Sequence, residues 1–393
     1  MRVLYVSHFG GLGGAEHSLL ELIMAVRPLG VEPLLICPPG PLQDMAVQNK
    51  IAVLNWAAHP LTRSRGSSGL PRSLPRLARG WLRLVQTVES FKPDVLHANS
   101  MQAMLWIGPV ARLWGCRVVW HWRDFYDHRR QARTVARGAD AIVAISRSTL
   151  LFAADLLGPT SPKLSLIING VSDLPPCDTD QINATRRSLG LLPDSLLVLM
   201  AGQSVPRKGH AVLIEAIATV NKKRSDVYAL LLCQEHDRSA ASYTRELRRQ
   251  STALGCDARV QIRDGIQPLA PMLHAADIVA IPSLREPFGR IAVEAMLARK
   301  PVIASDIDGL KEIVQAPETG LLVPPGDAAR LASGLLDMLG ARASLQLRGE
   351  AGRRRAQDRF AISRVAAEVV SLYTRVLSAD LAGRFDLSVA AVK

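Results

Sequence analysis

The stretch Arg2 to Val26, RVLYVSHFGGLGGAEHSLLELIMAV, contains three local patterns in succession. Arg2 to Ser7 is a short apolar run that predicts a buried β-strand, Gly10 to Gly14 predicts a tight turn, and Ala15 to Val26 predicts a helix. This order of strand, turn and helix predicts the first unit of an α/β fold.

The same alternation continues outward from this unit. Further apolar runs that predict strands are Pro33 to Cys37, Ala52 to Trp56, Val95 to Ala98, Arg117 to Trp122 and Ala141 to Ile145. The runs are continuously apolar rather than alternating, and helix-length segments separate them, which indicates a parallel sheet covered on both faces. Residues 1–172 are therefore predicted to form a doubly wound, Rossmann-like domain.

The second half of the chain repeats this architecture. Asn169 to Asp180, NGVSDLPPCDTD, predicts a linker over residues 173–190. The strands predicted after it are Leu196 to Ala201, Tyr228 to Leu232, Arg259 to Ile262, Ile278 to Ile281 and Val302 to Ala304, with helices at Gly209 to Asn221, Ser242 to Leu254 and Gly289 to Ala298. Residues 191–360 thus predict a second Rossmann-like domain, and residues 361–393 a helix that packs back toward the first. Two facing doubly wound domains would bring the carboxyl ends of both sheets to one interdomain cleft, where ligands of such sheets bind.

Composition agrees with two domains in a reducing compartment. A chain of 393 residues with 48% hydrophobic residues is long enough for two cores. Its five cysteines are scattered and have no C-x-x-C spacing, so neither a disulfide framework nor a zinc knuckle is predicted, and a cytoplasmic location is favoured. No secretory segment and no run of about 18 apolar residues occurs, so we expect a soluble or at most peripheral protein.

The net charge of +13 predicts a polyanionic partner, such as nucleic acid, anionic lipid or a phosphorylated ligand. Aromatic residues make up only 5% of the chain and no nucleic-acid-binding signature occurs, so nucleic acid is not expected. Part of the charge lies on a predicted basic amphipathic helix near residues 72–88. Its basic face holds Arg72, Arg76, Arg79 and Arg83, and its apolar face holds Leu74, Leu77, Trp81, Leu84, Val85 and Val88. This helix either rests on an anionic membrane or packs its apolar stripe on the first sheet, and Thr62 to Leu74 predicts a mobile loop.

The glycine turn Phe9 to Glu16, FGGLGGAE, opens the first predicted helix. The backbone N–H groups of Gly13 and Gly14 are therefore candidates for binding an anion or a polar ligand. The dinucleotide fingerprint G-x-G-x-x-G is absent because Glu16 takes the place of its last glycine, which disfavours NAD. The alternative is that these glycines only permit a tight turn.

A second candidate phosphate site is Gly202 to His210, GQSVPRKGH, which also follows a strand and opens a helix. Arg207 and Lys208 stand at the mouth of that helix, where they oppose the helix dipole unless an anion binds between them. The alternative is that they are ordinary exposed residues of a basic protein.

The stretch Arg285 to Met296, REPFGRIAVEAM, places two glutamates eight residues apart. Glu286 lies just outside the N-terminus of a predicted helix, and Glu294 in its second turn can lean back toward the same side. Carboxylates beside helical N–H donors suit a ligand with both hydroxyls and phosphates, such as a sugar nucleotide. The alternatives are helix-dipole stabilisation by Glu286, worth about 0.3 to 1 kcal/mol, and a plain surface position for Glu294.

One further cluster, HWRDFYDH, holds His121, Asp124, Asp127 and His128. Its spacing matches no standard metal motif, and a polar loop explains it equally well. We therefore expect no metal site.

The segment Ser283 to Asp327, SLREPFGRIAVEAMLARKPVIASDIDGLKEIVQAPETGLLVPPGD, resembles the E-x7-E segment of the retaining GT-B glycosyltransferases often called family 4. GGAE near the start, RKGHAVLIEAI, ADAIVAIS and IING also occur in the order and places of that family, so the resemblance spans nearly the whole chain. It implies a GT-B fold in which residues 1–172 form the acceptor side and residues 191–360 bind the donor.

The resemblance also implies residue roles. The implied catalytic residues are Glu286 at the donor sugar, His121 of VVWHWRD near that sugar and Lys208 at the diphosphate; the implied donor-binding residues are Gly13, Gly14, Arg207, Lys208, Glu294 at the ribose, and the backbone around Phe288, Gly289 and Arg290. Gln203 departs from the family pattern, because many members carry an arginine there, so Arg207 is expected to supply that charge.

The implied reaction moves a sugar from a nucleotide-diphosphate sugar to a hydroxyl of a glycan, lipid-linked or small-molecule acceptor, with retention of anomeric configuration. The nucleotide sugar is a substrate, and no cofactor is implied. Two other functions stay open at this stage. They are a sugar-nucleotide-binding protein without catalysis and a basic nucleic-acid-binding protein.

Overall fold

The computed structural model of the protein describes residues 1–56, 70–265 and 268–385. These residues form two compact units: unit 1 comprises residues 1–170 and 362 onward, and unit 2 comprises residues 171–361. The mobile loop predicted from Thr62 lies outside the described residues up to Gly69, and its last residues, from Leu70, are helical.

The strands, in chain order, are β1 Arg2–Val6, β2 Glu32–Cys37, β3 Val53–Asn55, β4 Val95–Ala98, β5 Arg117–Trp122, β6 Ala141–Ala144, β7 Leu164–Leu166, β8 Leu196–Gln203, β9 Val227–Gln234, β10 Val260–Asp264, β11 Ile278–Ile281, β12 Val302–Ser305 and β13 Gly320–Val323. The helices are α1 Gly14–Val26, α2 Pro41–Gln48, α3 Leu70–Phe91, α4 Met101–Trp114, α5 Arg129–Ala136, α6 Arg147–Leu157, α7 Thr179–Ser188, α8 His210–Asn221, α9 Arg238–Ala253, α10 Leu269–Ala275, α11 Arg290–Leu297, α12 Asp308–Ile313, α13 Ala328–Gly340, α14 Arg342–Phe360 and α15 Ile362–Phe385. Short 3-10 turns span Arg27–Leu29 and Pro206–Lys208.

Each unit contains one parallel sheet. The order in unit 1 is β3-β2-β1-β4-β5-β6-β7, and the order in unit 2 is β10-β9-β8-β11-β12-β13. In both sheets the first strand of the unit lies next to the point where the strand order reverses, which is the arrangement of a doubly wound fold. The predicted pair of Rossmann-like domains is confirmed by these two sheets.

Apolar side chains bury both faces of each sheet. In unit 1, one core lies between the sheet and α3 to α6, and a second core lies beneath α1, α2 and α15. Polar side chains then fix where several helices begin: Ser100 accepts from the Ala103 N–H at the start of α4, and Asp237 accepts from the Ala240 N–H at the start of α9.

The segment 173–190, predicted as a linker, contains a helix and lies within unit 2. The linker interpretation was wrong over residues 179–188, because the acids that suggested a loop start the helix instead. The Asp178 carboxylate accepts from the Gln181 N–H, and the Gln181 side chain accepts from the Asp178 N–H, which is a capping box.

Helix α3 buries its apolar stripe over its described side chains. Leu84 and Val88 belong to the core of unit 1, and Trp81 and Val85 pack against that core. Arg79 and Arg83 are exposed on the other side of the helix. The apolar stripe of residues 81–88 is thus occupied by packing on unit 1, which was one of the two predicted uses of this helix.

Two further observations concern the whole described chain. All five cysteines lie in the described ranges, and all five are free thiols. None of the helices in the described ranges is both long and apolar enough to span a membrane.

Candidate functional site

Two loops meet at the carboxyl edge of the sheet in unit 2. One follows β8 and contains Lys208 and Gly209, and the other follows β11 and contains Pro282. Gly209 has a φ of +78°, and a Cβ at this position would lie 1.9 Å from the Pro282 carbonyl oxygen. Only glycine fits such an approach, so the two loops are packed backbone to backbone. The Leu284 N–H donates to the Arg207 carbonyl at 2.8 Å and closes the contact.

This contact brings Lys208 to Glu286. Lys208 Nζ donates to Glu286 Oε2 at 2.6 Å, and Ser283 Oγ donates to the same oxygen at 3.0 Å. The two charged side chains are 18% and 9% exposed, so both are largely withdrawn from water. The family resemblance assigns these residues separate roles, and the structure places them in one ion pair.

The backbone of Glu286 is held by the turn at the start of α12. The Glu286 N–H donates to Asp308 Oδ2 at 3.0 Å, and the Gly309 N–H donates to the Glu286 carbonyl at 3.1 Å. Asp308 has a φ of +39°, a left-handed conformation that aspartate and asparagine adopt more readily than most residues other than glycine. The α12 turn therefore holds the backbone of Glu286, while Lys208 and Ser283 hold its carboxylate.

The second glutamate lies one turn inside α11, as predicted. Glu294 is 8% exposed, and its Oε1 accepts from Arg290 Nε at 2.7 Å. Gly289 precedes the helix with a φ of +102°, and Phe288 beside it is buried edge-to-face against Phe360. The first-turn N–H groups of α11 thus open beside the Lys208–Glu286 pair, where a helix N-terminus favours negative charge.

Arg207, the predicted compensating cation, lies against Gln203. Its guanidinium donates to Gln203 Oε1 at 3.0 Å, and the side chain is exposed. The residue that departs from the family pattern, Gln203, therefore orients Arg207.

The other predicted site residues belong to unit 1. Helix α1 begins at Gly14, and the Gly13 N–H donates to Glu16 Oε2 at 3.1 Å. Glu16 is 8% exposed, and burial raises the pKa of its carboxyl group. One of the two predicted anion donors, Gly13, is thus engaged by the carboxylate of its own helix.

His121 lies in β5, one residue before its carboxyl end, and is 1% exposed. Its Nδ1 is 3.2 Å from Nε2 of His97 and 3.4 Å from a guanidinium nitrogen of Arg123. Burial, with smaller effects from Arg123 and His97, lowers the pKa of His121 well below its usual value. His121 is therefore a neutral imidazole at neutral pH.

Sequence reasoning missed the residues that hold these side chains in place. They are Ser283 and Asp308 around Glu286, and His97, Asn99, Arg123 and Asn169 around His121. Asn99 and Arg123 directly follow strands β4 and β5, and Ser283 and Asp308 lie within three residues of the ends of β11 and β12, so their position at the carboxyl edge of a sheet was the available signal. Within the described residues no three His, Cys, Asp or Glu side chains are placed to share an ion.

Comparison with known proteins places this geometry in a family. Residues 12–173 match the family Glycosyltransferase Family 4, and residues 181–355 match the family Glycosyl transferases group 1. A D-inositol 3-phosphate glycosyltransferase of Xylanimonas cellulosilytica is 32% identical over 398 residues, which cover 93% of this chain and 92% of that protein. Another, from Jonesia denitrificans, is 34% identical over 236 residues, and that alignment spans 57% of this chain and 53% of the relative.

A solved structure agrees with these matches. The crystal structure of Anabaena HepE in complex with UDP and glucose superposes with a TM-score of 0.83 at 26% identity, over 95% of this chain and 99% of that one. The chain therefore belongs to the group 1 glycosyltransferases of the GT-B fold, enzymes that take a sugar from a nucleotide-sugar donor.

Proposed function

We propose that the protein transfers a hexose from a UDP-sugar to a hydroxyl of an acceptor, with retention of anomeric configuration. The observation that carries this proposal is the ion pair of Lys208 with Glu286 beside the N-terminus of α11. The diphosphate of a sugar nucleotide can replace Glu286 as the partner of Lys208, and the hydroxyls of its sugar can replace Lys208 as the partner of Glu286. UDP is the nucleotide bound in the HepE crystal structure, and for this reason we take it as the proposed donor nucleotide.

In this proposal the charge on the leaving diphosphate is stabilised by three groups of unit 2. They are the ammonium of Lys208, the guanidinium of Arg207 and the first-turn N–H groups of α11. Preorganised donors of this kind each account for a factor of about 100 to 1,000 in rate in other enzymes. Glu286, once its pairing with Lys208 is opened, accepts from hydroxyls of the donor sugar, and Glu294 accepts from the ribose.

Retention requires the acceptor to approach on the face from which the diphosphate leaves. The departing phosphate oxygen then accepts the acceptor's proton, the bond from the anomeric carbon to the phosphate breaks, and the bond to the acceptor oxygen forms. Glu286 orients the sugar and is not assigned the role of nucleophile. The resemblance to family 4 enzymes implies that His121 contacts the donor sugar.

The test is a panel of UDP, GDP and ADP and their hexose conjugates, scored by thermal stabilisation, followed by donor turnover on the best ligand. We expect UDP-sugars to stabilise most and Glu286→Ala to lose turnover by about 100-fold. Glu246→Ala, at an exposed glutamate of unit 2, is the matched control. Full activity in Glu286→Ala and Lys208→Ala would refute the site. If the anomeric proton coupling in the product's NMR spectrum shows the configuration opposite to that of the donor, retention is refuted.

The family matches disfavour the nucleic-acid-binding alternative, and turnover itself distinguishes the enzyme from a sugar-nucleotide sensor. A cytoplasmic location stays a prediction. We also propose peripheral association with anionic lipid through the exposed Arg79 and Arg83 of α3. This association is electrostatic, because the apolar stripe over residues 81–88 is packed on unit 1. Co-sedimentation with anionic vesicles at low salt, lost in Arg79→Gln/Arg83→Gln, is the expected result, and no sedimentation would end this part of the proposal.

A further inference from the structure

A chain of buried hydrogen bonds in unit 1 ends at His121. Tyr373 of α15 places its hydroxyl 2.6 Å from Nδ1 of His97. Nε2 of His97 is 3.2 Å from Nδ1 of His121. These three side chains, which we call the relay, are each at most 1% exposed. At the end of the relay, Nε2 of His121 is buried and has no hydrogen-bond partner among the described residues.

Arg123 determines which atoms of the relay donate. Its guanidinium is fixed by Asn99 Oδ1 at 2.6 Å and by Asn169 Oδ1 at 3.1 Å, and a third contact reaches Nδ1 of His121 at 3.4 Å. A guanidinium has five N–H donors and no acceptor. Nδ1 of His121 therefore faces a fixed donor and is favoured as an acceptor that carries no proton.

The remaining protons follow from this assignment. Because Nδ1 of His121 accepts, Nε2 of His97 donates to it. A neutral His97 with its proton on Nε2 accepts at Nδ1, and the hydroxyl that donates there is that of Tyr373. In this arrangement the Tyr373 hydroxyl donates to His97 at 2.6 Å, and not to the Tyr5 hydroxyl, to which it could otherwise donate at 3.3 Å. Burial, with a smaller effect from Arg123, lowers the pKa of His97 to about 3, so His97 is neutral at neutral pH.

We propose that Tyr373, His97 and Arg123 are positioning residues that fix His121 as the Nε2–H tautomer, so that His121 donates a hydrogen bond to a ligand oxygen and does not act as a base. An N–H group that is buried without a partner costs free energy, and a hydroxyl oxygen of the bound sugar would supply the missing acceptor. The assignment of the tautomer rests only on the contacts of the relay and Arg123 within unit 1. The identity of the acceptor atom rests on the proposed function.

The opposite arrangement makes a distinct prediction. If Tyr373 donated to Tyr5, His97 would carry its proton on Nδ1 and His121 would carry its proton on Nδ1. That proton would then face the guanidinium of Arg123, and Nε2 of His121 would be a hydrogen-bond acceptor. The two arrangements therefore differ in the protonated nitrogen of both histidines.

The first experiment reads the tautomers directly in the ligand-free protein. Histidine labelled with 15N separates protonated from unprotonated ring nitrogens by chemical shift, and His97→Gln and His121→Gln assign the signals. We expect Nε2–H on both rings in the wild type. We also expect a rise of the Nδ1–H form of His97 in Tyr373→Phe. An Nδ1–H signal from His121 in the wild type overturns the proposal, and this readout needs no turnover.

The second experiment tests the consequence for the reaction. Glutamine places an N–H donor near the position of Nε2 of His97, whereas leucine cannot donate. We expect His97→Leu to lower kcat for the nucleotide sugar about 10- to 100-fold with a smaller change in KM, and His97→Gln to recover most of the loss. Thr87→Val removes another buried hydroxyl of unit 1, one that donates to the Arg83 carbonyl, and is the matched control; it should stay within about twofold of wild type.

Equal losses in His97→Leu and His97→Gln, with both variants folded, would overturn the role of donation to His121. If the wild type turns over no nucleotide sugar, the proposed function fails while the labelling experiment still decides the tautomer. The two failures are therefore distinguishable.

Discussion

The two units use the loop after their first strand differently. In unit 1, the loop between β1 and α1 contains no cation, and the Gly13 N–H at the helix N-terminus is bound by the Glu16 carboxylate. In unit 2, the loop between β8 and α8 carries Arg207 and Lys208, and Lys208 is bound by Glu286. In unit 1 a carboxylate therefore accepts from the N–H at the start of the helix, whereas in unit 2 the corresponding loop presents two cationic side chains.

The same contrast extends along both sheet edges. Around His121 the contacts of unit 1 join neutral histidines and amides to the buried Arg123, whereas the glutamates of the loop after β11 and of α11 in unit 2 form the ion pairs Lys208–Glu286 and Arg290–Glu294. An ion pair can exchange each partner for a ligand group, because a phosphate replaces the carboxylate and a hydroxyl replaces the ammonium. Neutral hydrogen bonds define an orientation instead. The architecture is thus repeated, and the electrostatics are not.

The largest expected effect comes from breaking the Lys208–Glu286 pair. Lys208→Met should lower turnover about 100- to 1,000-fold, because it removes the cation nearest the diphosphate. It should also lower the free energy of unfolding of unit 2 by about 3 to 5 kcal/mol, because Glu286 is left without its counter-ion. Donor turnover and urea unfolding measure the two effects, and Lys222→Met at an exposed lysine is the control.

The double variant Lys208→Met/Glu286→Gln separates binding from stability. It should recover part of the lost stability, because no charge remains unpaired, and it should recover none of the turnover. If the double variant regains turnover, the Lys208–Glu286 pair contributes to stability and not to catalysis.

The contact between the two loops of unit 2 gives the next effect. Gly209→Ala must move the loop, because its Cβ would meet the Pro282 carbonyl at 1.9 Å, and we expect a loss of stability of more than about 2 kcal/mol together with most of the donor affinity. Gly190 has a similar φ of +68° and open space around its Cβ position, so Gly190→Ala should cost only about 1 kcal/mol. Calorimetry of both variants checks this, and equal losses would show that backbone strain alone is responsible.

A smaller effect is expected at the turn that holds Glu286. Asp308→Ala removes the acceptor of the Glu286 N–H and should reduce turnover about tenfold with a modest loss of stability. Asp308→Asn keeps an acceptor oxygen and tolerates the left-handed conformation, so it should stay near wild type. Loss of activity in both variants would indicate that the charge of Asp308 matters, rather than its hydrogen bond.

The smallest effect is on pH dependence, and it tests unit 1. Burial lowers the pKa of His8 to about 4, and that of His97 to about 3. Below about pH 6.5 the unfolded chain therefore binds more protons than the native unit, so stability falls as the pH falls, by at most about 1.4 kcal/mol per pH unit for each histidine. All six tryptophans lie in unit 1, so tryptophan fluorescence in urea at pH 7 and pH 5.5 reports this unit alone. His8→Asn should flatten the dependence, and an unchanged slope would contradict the assignment.

Eleven of the thirteen strands in the described residues were predicted from the sequence, because continuous apolar runs are local signals. The edge strands β7 and β13 were missed, since they are short and partly exposed. Lys208, Glu286 and Glu294 were also found from local sequence patterns. Their partners were not, since the ion pair of Lys208 with Glu286 joins residues 78 apart in the chain, and Asp308 reaches Glu286 from another loop. Helix α7 was missed because its capping residues, Asp178 and Gln181, are also turn formers.

Helix α15 comes after unit 2 in the chain but completes the core of unit 1, where Val369 and Tyr373 are fully buried. During synthesis the first sheet therefore lacks α15, and an apolar groove beside α1 stays uncovered, until all of unit 2 has left the ribosome. A nascent chain in that interval exposes surface that chaperones bind and that favours aggregation. A truncation before Ile362 would leave the groove uncovered permanently. Loss of this helix would therefore lower the amount of protein in the cell, and not only its turnover rate.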